Sequence, residues 1–174
     1  MSIAVGTRAP GFELPTVGGG TATAQAPPDG LAVVAFWCNH CPYVQAWEGR
    51  FDAVAREYAA HVRVVAVNAN DPVSHPADDF DAMTARAADR GYAFAYAHDR
   101  TQETARAYGA TRTPEVFVLD ADGVVRYHGA IDDSHDPDGV RLTYLRDALD
   151  ALLAGRDPEV AETAPVGCTI KWAR

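Results

Sequence analysis

The sequence predicts an α/β fold: three layers, α/β/α, around a central mixed sheet, with an N-terminal β-hairpin extension. Three observations carry this. Residues 31–37 ("LAVVAFW") and 62–70 ("VRVVAVNAN") are apolar runs of the kind buried on both faces in parallel sheets. Strand-like and helix-like segments then alternate along the chain. Finally, "DADG" at 120–123 reads as the turn of an antiparallel hairpin between the last two strand-like segments.

The elements follow in order. "FELPTV", a glycine turn and "TATA" form a small hairpin. After the first apolar run, a helix starts near Cys41, with Pro42 in its first turn where no N–H is needed. Val44, Trp47, Phe51, Val54 and Tyr58 make its apolar stripe. The second run is followed by a loop, "DPVSHP", and a polar helix from about Pro76 to Arg90 carrying Phe80, Met83 and Ala87. "YAFAYAHD" is a weaker strand, and "TQETARAYG" a short helix stopped by Gly109. "EVFVLD" and "VVRYHGAI" form the closing hairpin. A last helix runs from about Gly139 to Ala154, with Leu142, Leu145, Leu149, Leu152 and Leu153 facing inward. Residues 1–174 read as one domain, with 155–174 as an irregular tail.

The net charge of −9, with a single lysine, Lys171, argues against a non-specific nucleic-acid partner, since a polyanion would be repelled. The N-terminus lacks a basic start and apolar core, and no apolar stretch reaches the length of a membrane span. A cytoplasmic location is therefore expected, with no membrane partner. There, closely spaced cysteines mean redox chemistry or metal more often than a structural disulfide.

"FWCNHCP" places Cys38 just past a buried strand and Cys41 three residues later, at the mouth of a helix. Unpaired N–H groups and partial positive charge at a helix N-terminus stabilise a thiolate, so the Cys38 pKa is expected to fall. Cys41, one turn on, is close enough to close a disulfide. His40 adds stabilisation to the thiolate when protonated or as a donor. The same spacing is also half of many zinc sites, but the only other cysteine is Cys168.

With "TRTPEVFVLDADG" some seventy residues later, the chain resembles the thioredoxin superfamily, and its fold is expected to be the thioredoxin fold. Thr113–Pro114 matches the place of that family's cis-proline, which faces the disulfide and docks an extended substrate segment. The opening "GTRAPGFELP" is similar to the redoxin branch, shared by peroxiredoxins and cytochrome-maturation thioredoxins. "CNHCPYV", "NAND", "GYAFAYAHD", "IDD" and "GCTIKW" resemble a peroxiredoxin-like group within it.

Two departures matter. Peroxiredoxins use Pro-x-x-x-Thr-x-x-Cys. Matched on Cys41–Pro42, their threonine falls on Cys38, their proline on Val34 and their arginine near Pro114. The donors that would activate a peroxide are thus missing from those places. Thioredoxins also carry a buried aspartate six residues before the first cysteine, where this chain has Ala32. Glu115 is the expected substitute, taking the proton from Cys41.

The expected function is thiol–disulfide exchange: Cys38 attacks, Cys41 resolves, His40 tunes the thiolate, Thr113 and Pro114 position the partner, and Glu115 handles a proton. The partners would be a disulfide-containing protein or small molecule and a thiol donor such as a thioredoxin system. No metal or organic cofactor is needed. Two alternatives stand beside this: a thiol peroxidase, and a metal-binding or adaptor module using Cys38, His40 and Cys41. Against the latter, His40 sits on a short loop with little freedom to turn inward.

Other features read as structural. Cys168 in "PVGCTIKW" is either a third redox cysteine or a small packed residue, with Ile170 and Trp172 alternating like a pinned strand. In "IDDSHDPDG", the acids lack the spacing of a calcium loop, and Asp136 or Asp138 is expected to start the last helix. His61, His75, His98 and His128 read as surface or loop residues. Trp37 reads as a shield for the disulfide. Asn68, Asn70 and Asp71 end the second strand at the sheet edge where ligands gather, as a polar rim.

Overall fold

In the computed structural model, which describes residues 1–174, the chain forms nine strands and four helices. β1 (Glu13–Pro15) and β2 (Thr21–Thr23) pair antiparallel. Gly18, Gly19 and Gly20 between them all have positive φ, which explains the glycine run. β3 (Leu31–Trp37) leads into α1 (Pro42–Glu57), then β4 (Val62–Asn68), α2 (Phe80–Arg90), β5 (Ala95–His98) and α3 (Glu103–Tyr108). β6 (Arg112–Thr113) precedes β7 (Glu115–Leu119) and β8 (Val125–Gly129). α4 (Tyr144–Leu153) and β9 (Cys168–Thr169) follow.

The central sheet has the order β5-β4-β3-β7-β8. β3 pairs parallel with β4, and β4 with β5, whereas β7 runs antiparallel to both β3 and β8. The sheet is mixed, as the sequence implies. Every residue of β3 is buried because it lies centrally with both faces covered.

Strand alternation divides the core in two. Leu31, Val33, Ala35 and Trp37 point to one face, with Val116 and Val118 of β7, and meet Val44, Trp47, Phe51 and Val54 of α1, Met83 of α2, and Leu145 and Leu149 of α4. Ala32, Val34 and Phe36 point the other way, with Phe117 and Leu119. They meet Ala105 and Tyr108 of α3, Ala22 of the hairpin, and Ile170 of the tail. Trp37 stacks on Phe51 at 4.7 Å between ring centroids. Each such fully buried large side chain contributes roughly 1.5–3 kcal/mol.

Three expectations change. α4 begins at Tyr144, so Leu142 lies before it and is 51% exposed, and Leu153 ends it at 37%. Asp136 accepts from the Asp138 N–H and caps a 3-10 turn at Pro137–Gly139, not α4. The tail is not wholly irregular, because β9 pairs antiparallel with β6. No helix is long and apolar enough to cross a membrane.

Candidate active site

Cys38 follows β3 and Cys41 is the N-cap residue of α1. All three cysteines are free. Cys38 is 1% exposed, Cys41 0%, and Cys168 half-buried. The Thr113–Pro114 peptide is cis and lies against the pair. Cys38 Sγ is 3.4 Å from Thr113 Oγ1, and Cys41 Sγ is 3.2 Å from the Thr113 carbonyl oxygen. The site residues Cys38, Cys41, Thr113 and Pro114 are thus brought together at the end of β3.

The two thiols interact, and the pair is shifted in opposite directions, Cys38 upward and Cys41 downward. Cys41 is pulled down to about 4 by the Cys38 thiol, against its burial, with help from Cys168 and from the Val44 N–H in the first turn of α1. The Cys38 pKa is raised by that same interaction, by burial and by the charge of Asp78. The Thr113 carbonyl opposes the Cys41 anion, since it accepts from Cys41 only while that thiol keeps its proton. A thiol and two backbone N–H groups outweigh one carbonyl. The direction differs from the expectation for Cys38: the helix-end N–H reaches the cap residue Cys41, and a carboxylate stands beside Cys38.

That carboxylate was not singled out in the sequence. Asp78, in a 3-10 turn at Pro76–Asp78, is 0% exposed. Its Oδ1 accepts from the Asn39 N–H at 2.6 Å and Asn68 Nδ2 at 3.2 Å; its Oδ2 accepts from Asn70 Nδ2 at 2.9 Å. His40 Nδ1 pairs with Oδ2. Both oxygens are thus occupied by donors. Asn68 and Asn70 therefore do not form an open rim; they are buried supports for Asp78. Asn39 is held as well, accepting from the Tyr96 hydroxyl at 2.8 Å and donating to the Ala77 carbonyl at 2.8 Å. The signal available was the polar cluster after the second strand, "NAND", at the edge where polar groups gather.

Glu115 does not sit with the cysteines. It belongs to the Phe117 and Leu119 face of β7, opposite the thiols. Its carboxylate accepts from Ser2 Oγ at 2.8 Å and from the N–H groups of Thr111 and Arg112 at 2.8 and 3.0 Å, and it pairs with His128 Nε2 at 2.8 Å. Burial would raise the Glu115 pKa, but His128 and these donors hold it below the usual value. Burial would lower His128, but Glu115 lifts it above. The expected proton-handling role for Glu115 is corrected by strand parity. His128 and His98 are likewise buried, not surface residues.

The remaining expectations divide. His40 does turn inward, toward Asp78, and stacks on His75 at 5.5 Å. Cys38, His40 and Asp78 offer ligand atoms within 4.8 Å of one another, a set that could hold a cation. Asp78 already serves three amide donors, so an ion would compete with the His40 contact. Trp37 packs in the core on Phe51. In the acidic loop, Asp132 receives Trp47 Nε1 at 2.6 Å and Arg50 Nε at 2.8 Å, which leaves it a structural anchor.

Comparison with known proteins agrees with this geometry. The AhpC/TSA family model matches residues 5–128. A crystal structure of an uncharacterized conserved protein from Geobacillus kaustophilus is 36% identical, with TM-score 0.91, covering 98% of this chain and 93% of that one. A hypothetical protein from Sinorhizobium meliloti 1021 is 37% identical, with TM-score 0.90 and coverage of 99% and 97%. A DsbE-type thiol:disulfide interchange protein from Chlorobium tepidum is 28% identical, with TM-score 0.59 over 73% of this chain and 85% of that one. A search among curated proteins returned no match. The match over most of the chain and the cis-proline site at the end of β3 lead to one conclusion: the chain belongs to the AhpC/TSA family, in the redoxin branch of the thioredoxin superfamily.

Proposed function

We propose that this protein is a thiol–disulfide oxidoreductase that cycles between the Cys38/Cys41 dithiol and disulfide. The observation that carries the reading is two free thiols three residues apart at the head of α1, both in contact with Thr113 of a cis Thr113–Pro114 peptide. One thiolate attacks a substrate disulfide, a mixed disulfide forms, and the substrate's other sulfur leaves as a thiolate and takes a proton. The second thiol then attacks the mixed disulfide, which closes Cys38–Cys41 and releases the second substrate thiol.

From the sequence, Cys38 would attack and Cys41 would close the disulfide. The charge distribution supports the reverse order: thiolate on Cys41, proton on Cys38, and the Asp78 carboxylate beside Cys38 to draw that proton away. His40 orients Asp78. Substrates are protein or small-molecule disulfides, and the donor is a dithiol such as a thioredoxin system.

The test uses the reduced protein with a small aromatic disulfide, following release of the coloured thiol. In a Cys168→Ser background, which leaves no third thiol to resolve it, Cys38→Ser should stop at a stable mixed disulfide on Cys41, and Cys41→Ser should lose at least tenfold in initial rate. A wild-type rate no faster than free cysteine would overturn the reading, and a much faster reaction with hydrogen peroxide would replace it with peroxidase chemistry. One observation favours a second reading. The Cys38, His40 and Asp78 ligand set predicts stoichiometric zinc or copper(I) on the purified protein, lost in both Cys38→Ser and His40→Ala.

A further inference from the structure

The tail is fitted to the thiol site. Cys168 and Thr169 pair antiparallel with Thr113 and Arg112, the residues leading into the cis peptide. Gly167 makes this approach possible, since a Cβ there would fall 2.0 Å from the Thr113 carbonyl oxygen. Beyond β9, the Ile170 N–H donates to the Thr111 carbonyl at 3.0 Å, and the Lys171 N–H donates to Asn70 Oδ1 at 2.8 Å. Asn70 is the same residue that holds Asp78. Gln102 Nε2 donates to the Lys171 carbonyl at 2.8 Å, and the Ala173 N–H donates to Gln102 Oε1 at 2.9 Å. Ile170 is 3% exposed.

This register sets Cys168 opposite Thr113, whose carbonyl oxygen Cys41 Sγ meets at 3.2 Å, and packs it against the cluster that holds Cys38 and Cys41. The exposures differ in a telling way. Cys38 and Cys41 are closed off, whereas Cys168 is half-buried. An external sulfur reaches Cys168 first.

We propose that Cys168 is a third redox cysteine, which exchanges a disulfide with Cys41 and carries it from the buried couple to the surface. The inference rests on the reading of Cys38/Cys41 as a redox couple. Starting from the Cys38–Cys41 disulfide, the Cys168 thiolate attacks Cys41 Sγ. The Cys41–Cys168 bond forms, the Cys38–Cys41 bond breaks, and the electron pair leaves on Cys38. Cys168 has given up one proton and Cys38 takes one up, so charge and oxidation level are unchanged. An external thiol, small or protein-borne, then attacks Cys168, and the electron pair leaves on Cys41, the sulfur this site stabilises best as an anion. A second external thiol attacks the mixed disulfide and frees Cys168. The sum is two external thiols oxidised to one disulfide and the protein reduced by two electrons. Run backward, the same steps oxidise the protein.

The test equilibrates full-length wild type, Cys38→Ser and Cys168→Ser in glutathione buffers, traps free thiols and maps disulfides by peptide mass spectrometry. Cys38→Ser should form a Cys41–Cys168 disulfide in most molecules. Cys168→Ser should still form Cys38–Cys41, but its reduction by glutathione should slow at least tenfold. Gly167→Ala, which removes no thiol, should cut the Cys41–Cys168 yield in the Cys38→Ser background. Finding only glutathionylated or free cysteines in Cys38→Ser, or an unchanged rate in Cys168→Ser, overturns the relay while leaving the couple intact. A wild type with no Cys38–Cys41 disulfide, beside a bridged Cys38→Ser, instead overturns the couple.

Discussion

Asp78 and Glu115 are equally buried, at 0% exposure each, and each is served by several donors and a histidine. They differ in the face they occupy. Asp78 reaches in from the loop after β4 and stands beside Cys38. Glu115 is next to the cis-proline in sequence yet points through the sheet to the opposite side, where it ties β7 to His128 on β8, to Ser2 and to the backbone of Thr111 and Arg112. A buried carboxylate near an active-site peptide is therefore not evidence of chemistry by itself. What decides is whether it shares a face with the sulfur atoms.

The largest expected effect comes from breaking the Glu115 side. Glu115→Ala leaves the buried His128 and the Thr111 and Arg112 N–H groups without their partner, and should cost about 3–5 kcal/mol in urea unfolding. Exchange by the folded fraction should stay within twofold of wild type. Loss of exchange at full occupancy of the native state would mean that the two carboxylates do not have separate roles.

Asp78→Asn is next. It should cost about 1–3 kcal/mol, since Asn39, Asn68 and Asn70 keep only part of their acceptor. Its informative effect is on the thiols. Removing the charge beside Cys38 should lower the pKa of Cys38 and shift the pH profile of disulfide exchange, a change Glu115→Gln should not produce.

A pH series sharpens the contrast. The Glu115 pKa is depressed, so its contribution to stability is present above the ordinary carboxylate value and is lost as pH falls through the folded value. The His128 pKa is raised, so its contribution is complete below about 6.5 and is lost as pH rises through the folded value. The pair is at full strength between those limits, and Glu115→Gln should flatten both limbs of the stability curve. Within the thiol site, the Cys41 pKa is lowered chiefly by Cys38, so the thiolate absorbance should titrate at higher pH in Cys38→Ala than in the reduced wild type. The smallest effect is expected for Tyr96→Phe, which removes the hydrogen bond to Asn39 Oδ1 and the longer one received from Asn68 Nδ2, and should cost about 1–2 kcal/mol.

The sequence made Cys38, Cys41, Thr113 and Pro114 legible because short-range signals mark them: a buried run, a three-residue spacing, a proline after a threonine. β3, β4 and α1 were legible for the same reason. Asp78 was not, because it is 37 residues past Cys41 in a stretch that reads as loop, and only the sheet edge brings it back. Glu115 was misread although the pattern was present. It shares parity with Phe117 and Leu119, whereas Val116 and Val118 face the cysteine side. The balance between Cys38 and Cys41 could not be read locally, because beside the interaction of the two thiols it also depends on groups distant in sequence, Asp78 and the tail. The tail's register on Thr113 has no local sequence signal except Gly167, whose necessity appears only once the Thr113 carbonyl is in place.

The measurement that tests the account most directly is a glutathione redox titration of the full-length protein, with thiol trapping and disulfide mapping at each point. The account predicts a reversible two-electron transition in which Cys38 and Cys41 are joined within one chain. A protein whose cysteines stay free, or pair only with glutathione, across the whole range would contradict it.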